Sequence, residues 1–72
     1  MDKTKIKATI QSLRHSIGKP QKEIASAAGI SIMSYYRYEY GERIPDACTA
    51  TVIAAALGST VEAIWGNNIR KA

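Results

Sequence analysis

The chain of 72 residues is interrupted by only five glycines and two prolines, and between them apolar residues recur every three or four positions. This interval is that of one face of an α-helix, whereas a half-buried β-strand requires sustained alternation of apolar and polar residues. Over residues 4–16 the pattern predicts a first helix that ends before Gly18. Its apolar stripe consists of Ile6, Ile10, Leu13 and Ile17. The spacing therefore predicts an all-α fold.

Two short helices are predicted on either side of Gly29. Pro20 suits the first turn of a helix and Gly29 suits a C-terminal cap, which leaves roughly two helical turns between them. The inward residues of this helix are Ile24, Ala25 and Ala28. Ser31 can cap the next helix, which runs through IMSYYRYEY and stops at Gly41. A helix-turn-helix unit needs a small residue at the helix crossing and a glycine in the turn, so this unit is placed at about residues 20–40.

Two further helices are predicted in the C-terminal part of the chain. Asp46 can cap a helix that ends at Gly58. Its expected core residues are Val52, Ile53, Ala56 and Leu57. Ser59 and Glu62 have the spacing of a reciprocal capping box, which predicts a short helix carrying Val61, Ile64 and Trp65. The tail at residues 66–72 has no strong pattern, and the whole of residues 1–72 is expected to form one domain.

Composition narrows the function classes. The single cysteine, Cys48, cannot form an internal disulfide and has no Cys or His partners at zinc-site spacing, so it is expected to be a small buried side chain and no metal is expected. No carboxylate pair, nucleophile triad or phosphate-cradling glycine loop is present, which argues against an enzyme and against a cofactor. The longest apolar run, TVIAAALG, is too short for a bilayer, so a cytoplasmic protein is expected. The net charge of +4 and the pI near 9.5 favour a polyanionic partner.

Seven residues, correctly spaced and without insertions, resemble the pattern of the phage-repressor and Cro family of helix-turn-helix proteins, also called the Xre type. They are Leu13, Arg14, Gln21, Ala25, Gly29, Glu39 and Gly41. The resemblance covers about residues 6–65. It implies a five-helix, lambda-repressor-like fold and a sequence-specific regulator of transcription that binds double-stranded DNA. The short chain is most similar to Cro-like repressors of phages, prophages or mobile elements.

The resemblance implies that the third helix, about residues 32–40, is the recognition helix in the major groove. On a helical wheel, five of its side chains fall within an arc of about 140°. They are Ile32, Met33, Tyr36, Arg37 and Tyr40. Arg37 suits a bidentate contact to guanine, and Tyr36 can meet base edges or thymine methyl groups. Ile32 and Met33 depart from the polar residues usual in the family, so they either contact thymine methyl groups or face a protein.

The remaining positions are interpreted through the same resemblance. Tyr35 and Tyr38 are expected in the core. Arg14 and Glu39 match a salt bridge that joins the first helix to the end of the third. Gln21 matches a glutamine that bonds a phosphate and buttresses the recognition helix. The other expected phosphate contacts are Lys19, Lys22, Tyr40 and Arg43. Pro20 replaces the usual N-cap residue, which predicts the loss of a side-chain cap.

A short recognition helix gives modest specificity alone, so a homodimer on a palindromic operator is expected. The dimer contact is expected at the C-terminal helix and tail, around Ile64, Trp65 and Ile69, although Trp65 is equally suited to the core. The alternative function is a protein-interaction or antitoxin-like module with the same fold, in which the apolar residues and tyrosines of the third helix face a protein.

Overall fold

The computed structural model describes residues 3–66 and residue 69. This part of the chain forms five helices, as the glycine spacing predicts. They are α1 (Lys3–Ser16), α2 (Gln21–Ala28), α3 (Ile32–Glu39), α4 (Ala47–Ala56) and α5 (Val61–Trp65). The all-α prediction is confirmed.

Short side chains cap the first turns of α3 and α4. The Ser31 hydroxyl accepts a hydrogen bond from the backbone N–H of Ser34, and the Asp46 carboxylate accepts one from Thr49. These bonds satisfy amide groups that lack partners in the first helical turn. Pro20 precedes α2 and provides no such bond, as expected.

The predicted cap of α5 is wrong by one residue. Thr60, not Ser59, accepts the hydrogen bond from the backbone N–H of Ala63 at 3.1 Å. Ser59 instead belongs to the end of the preceding helix, because its own N–H donates to the carbonyl of Ala54 at 2.9 Å. The way in which α4 ends therefore decides which of two adjacent hydroxyl residues becomes the cap.

Two glycines are required by the path of the chain. Gly29 has φ 71° and lets the N–H of Ile30 bond the carbonyl of Ala25 at 3.1 Å, which closes α2 in a Schellman-type turn. Gly41 has φ 74°, and a Cβ atom there would lie 2.8 Å from the Cα of Lys3. Gly41 thus allows the end of α3 to approach the start of α1.

The core lies where α2 packs against α3 and α4, and where α1 and α5 close over it. The predicted core positions Ile24, Ala25, Ile53 and Leu57 are buried. The remaining members of the buried core cluster are Ile6, Ile10, Tyr35, Ala50, Ala54, Ile64 and Trp65. Leu13, Ala28, Ala56 and Val61 are half-buried against this core.

Three burial predictions are wrong. Ile17, which directly follows the last residue of α1, is 40% exposed. Val52 is also 40% exposed, and Cys48 is exposed. Val52 and Cys48 are each two positions from the buried Ala50, which corresponds to roughly 200° on a helix. Both therefore lie on the face of α4 that points away from the core.

Among residues 3–66 and 69, none of the helices is both long enough and apolar enough to cross a lipid bilayer. The same residues contain no group of three or more His, Cys, Asp or Glu side chains that could hold a metal ion.

Candidate nucleic-acid interface

A buried carboxylate organises the helix-turn-helix. The side chain of Glu39, at the end of α3, is 0% exposed. Its Oε1 accepts hydrogen bonds from Arg14 Nε at 3.0 Å and from the Tyr35 hydroxyl at 2.8 Å. Its Oε2 accepts one from Gln21 Nε2 at 2.6 Å. The four residues are called the Glu39 cluster below, and they come from three helices.

The Glu39 cluster compensates the burial of its charge. An isolated carboxylate in a protein interior is strongly unfavourable, but here a guanidinium and two neutral donors surround it. Arg14 is 12% exposed, so water still reaches part of the cation. Burial raises the pKa of the Tyr35 phenol well above its ordinary value, and the hydrogen bond to Glu39 and the charge of Glu39 add to the rise. Tyr35 therefore remains a neutral donor.

The Glu39 cluster fixes the angle between the helices of the helix-turn-helix. Arg14 holds the end of α3 to α1, and its Nη1 also donates to the carbonyl of Lys19 at 3.4 Å. Gln21, the first residue of α2, holds the same end of α3 to the start of α2. The predicted Arg14–Glu39 salt bridge is confirmed, as is the buttressing of α3 by Gln21. The phosphate contact of Gln21 stays a prediction.

The four predicted base-facing residues differ in exposure. Met33 is 61% exposed and Arg37 is exposed, so both project from the outer side of α3. Ile32 and Tyr36 are half-buried and pack partly against the core. Ile32 is the first residue of α3, and only part of its side chain is exposed. Its availability for base contact is smaller than that of Met33.

The helical wheel predicts two buried and two outward-facing tyrosines, but the four tyrosines do not divide into these two groups. Tyr35 is fully buried and Tyr38 is half-buried against the core, as expected. Tyr36 and Tyr40 were expected to face outward, yet both are half-buried. Their rings stack on each other, with centroids 6.1 Å apart and an interplanar angle of 16°. The stacking covers one face of each ring.

A lysine from α1 completes this stack. The Lys7 ammonium lies 5.0 Å from the centroid of the Tyr40 ring, within cation–π range. Lys7, Tyr40 and Tyr36 are called the lysine–tyrosine row below. The spacing of the two tyrosines, four positions apart on one helix, is a sequence signal for their contact. No local signal pairs Lys7 with Tyr40, because that contact depends on how α1 crosses α3, and sequence reasoning missed it.

Exposed cations flank the contact between α2 and α3. Lys19 lies just before α2 and Lys22 lies in its first turn, and both are exposed. Arg43 follows α3, is exposed, and its N–H donates to the carbonyl of Arg37 at 3.3 Å. The hydrogen bond between Gln21 and Glu39 joins the start of α2, beside Lys19 and Lys22, to the end of α3, which Arg43 follows. Their contact with phosphate stays a prediction.

Comparison with known proteins assigns the chain to a protein family. The family model described as Helix-turn-helix matches residues 10–64, which include α2 and α3. The chain belongs to the helix-turn-helix family, of the Cro and Xre type. It contains the helix-turn-helix that the Gly29 turn and the Ser31 cap predict.

A relative of this helix-turn-helix chain is the cryptic phage CTXphi transcriptional repressor RstR of Vibrio cholerae serotype O1. The two sequences are 37% identical over 62 residues, which cover 86% of this chain and 55% of the relative. The helix-turn-helix chain thus spans little more than half the length of that relative. No solved structure matches it significantly.

Proposed function

We propose that this helix-turn-helix protein is a sequence-specific regulator of transcription that binds double-stranded DNA, of the Cro-like repressor kind found in phages, prophages or mobile elements. The observation that carries the proposal is the Glu39 cluster. It holds α3 at a fixed angle to α2 while leaving Met33 and Arg37 exposed. The similarity to a phage transcriptional repressor supports the same class. The proposal includes no enzymatic activity and no cofactor, and it places the protein in the cytoplasm.

In the proposed complex, α2 lies across the DNA backbone and α3 enters the major groove. Gln21 is suited both to contact the DNA backbone from α2 and to hold α3 in place. One N–H of its side-chain amide donates to Glu39 Oε2, which leaves the second N–H for a phosphate oxygen. Lys19, Lys22, Tyr40 and Arg43 are proposed as further phosphate contacts around it.

Base reading is proposed for the outer side of α3. Arg37 is exposed, and its planar fork can donate to both O6 and N7 of guanine. Met33, also exposed, offers an apolar surface to a thymine methyl group. Ile32 and Tyr36 are half-buried, so their proposed base contacts are limited to the edges of their side chains. Specificity in this scheme depends first on Arg37.

A homodimer on a palindromic operator is also proposed, with half-sites about 34 Å apart, because one short recognition helix gives limited affinity. The side chains of Ile64 and Trp65 are only 6% and 2% exposed and form part of the domain's own core, so they offer little surface to the proposed dimer contact at the C-terminal helix and tail. Ile69 is half-buried against that core. The other tail residues of that prediction, 67, 68 and 70–72, lie outside the described residues.

A second candidate is a protein-interaction or antitoxin-like module with the same fold. The observation that favours it is the large exposure of Met33, an apolar residue at a position where the family usually has a polar base reader. In that case the outer side of α3 would bind a protein and not a DNA groove.

Gel-shift binding to duplex DNA at increasing salt distinguishes the two candidates. A regulator is expected to bind at low salt, to lose affinity as salt rises and to bind more weakly after Arg37→Ala or Gln21→Ala. Thr51→Ala, an exposed change on α4, serves as the control. Absence of duplex binding even at low salt would exclude the DNA-binding proposal.

A further inference from the structure

The lysine–tyrosine row extends from α1 to the proposed groove face of α3. Tyr36 lies within α3, Tyr40 follows its last residue, and Lys7 covers the Tyr40 ring from α1. The close approach of Gly41 to Lys3 places the start of α1 at the same end of α3. Part of α1 is therefore a direct neighbour of the proposed DNA-binding surface.

Among residues 3–66 and 69, no carboxylate pairs with the Lys7 ammonium. The helix that carries it, Lys3–Ser16, contains no acidic residue. Within the described part of the chain, Lys7 forms no ion pair, and its contact is the ring of Tyr40. A cation over an aromatic ring retains its charge and its N–H donors toward water. The Lys7 ammonium is thus held in place while still able to bind an anion.

We propose that Lys7, held over Tyr40, binds a backbone phosphate of the same duplex DNA that α3 contacts. This inference rests on the proposed DNA-binding function and adds α1 to its interface. The proposed phosphate contact of Tyr40 and that of Lys7 share one patch, because the ammonium lies 5.0 Å from the ring centroid. The patch lies at the C-terminal end of α3, to which Gln21 is bonded through Glu39.

Lysine at this position suits a phosphate better than a base. Its ammonium is a compact charge with rotatable donors and lacks the planar fork of arginine, so it contacts phosphate as a point charge. Such contacts contribute affinity regardless of base sequence and increase the salt dependence of binding. Lys7 is therefore expected to strengthen binding to every duplex without changing which sequence is preferred.

The test compares two lysines of α1. Lys5 and Lys7 are both exposed and are two positions, or roughly 200°, apart on the helix, so Lys5→Gln and Lys7→Gln make the same charge change on different sides. Binding of each variant to a fluorescein-labelled, mixed-sequence duplex is measured by anisotropy over a series of KCl concentrations. Lys7→Arg keeps the charge, and circular dichroism verifies that every variant is folded.

The association constant K falls as salt rises, so the slope of log K against log salt is negative. Loss of one phosphate contact should make this slope less steep by about 0.9, so that a fourfold rise in salt lowers the affinity roughly 3.5-fold less than in the wild-type protein. The expected result is this change for Lys7→Gln, a wild-type slope for Lys7→Arg and a smaller change for Lys5→Gln. Equal slopes for Lys5→Gln and Lys7→Gln, or a wild-type slope for Lys7→Gln, would overturn the role of Lys7 and leave DNA binding intact. If the wild-type protein shows no salt-dependent binding, the proposed function and this inference fail together.

Discussion

Arg14 Nε donates to Glu39 Oε1 over 3.0 Å and joins the last part of α1 to the end of α3, 25 residues further along the chain. The carboxylate is fully buried, so its charge depends on this partner and on the two neutral donors beside it. A pair of this kind is a weak source of net stability, but it allows few alternative arrangements of the helices around it. The position of the proposed recognition helix therefore depends on one carboxylate.

Glu39→Gln is expected to destabilise the fold by about 3 kcal/mol, because removal of one member of a buried pair leaves the other uncompensated. The new amide would also direct its N–H groups at one of the present donors, Gln21 or Arg14. Urea denaturation measures the loss. Glu42→Gln, an exposed change in the loop after α3, is the matched control and should leave the midpoint nearly unchanged. Equal stability of the two variants would contradict the proposed role of the Glu39 cluster.

The raised pKa of Tyr35 should make the stability of the fold sensitive to alkaline pH. Its folded-state pKa is raised above the ordinary value of 10.0, so above pH 10 the unfolded chain releases this proton while the folded chain retains it. The unfolded state then binds fewer protons, and the free energy of unfolding falls as pH rises. The stability associated with Tyr35 is complete below pH 10 and is lost progressively above it.

Tyr35→Phe should remove this alkaline component, which is read from denaturation midpoints at a series of pH values. At neutral pH the same change should cost about 2 kcal/mol, because Glu39 loses a charge-assisted hydrogen bond. Tyr38→Phe removes a phenol from the same helix and leaves the Tyr35–Glu39 hydrogen bond in place, so this variant should keep the alkaline component that Tyr35→Phe loses. Identical alkaline slopes for wild type and Tyr35→Phe would argue against the buried hydrogen bond.

The glycines before and after α3 provide a matched comparison. Gly29 and Gly41 both have positive φ, so alanine strains the backbone at each site by about 1 to 2 kcal/mol. A Cβ at Gly29 meets no atom within 4 Å, whereas one at Gly41 would collide with the backbone of Lys3. Gly41→Ala is therefore expected to lower the melting temperature more than Gly29→Ala. The reverse order would show that α1 does not closely approach the end of α3.

The helix-turn-helix was predictable because its determinants are local. Ser31 and Gly29 mark the ends of helices through short-range hydrogen bonds, and the residue spacing between them has a recognisable pattern. The burial of Val52 was predicted wrongly because the polar and apolar residues of α4 are not separated onto two faces, so its sequence has little amphipathic contrast to identify the inner face. The contact of Lys7 with Tyr40 was missed because it forms only when α1 and α3 have packed.

Arg37→Ala is expected to weaken binding to a preferred duplex by about 1 to 3 kcal/mol and to relax the base preference at one position of each half-site. Lys22→Ala should weaken binding to all duplexes alike, because a phosphate contact has no sequence information. Competition assays with single-base variants of a preferred site separate these effects. If both variants weaken all duplexes to the same extent, Arg37 contacts phosphate and not a base.

The most direct measurement of the central claim, that α3 reads duplex DNA as part of a homodimer, is selection of bound sites from a random duplex library. The expected result is a palindrome whose half-sites lie about one helical turn apart, with one conserved position lost when Arg37→Ala is used in the selection. A set of bound sequences with no common pattern, or the same palindrome for both proteins, would contradict the account.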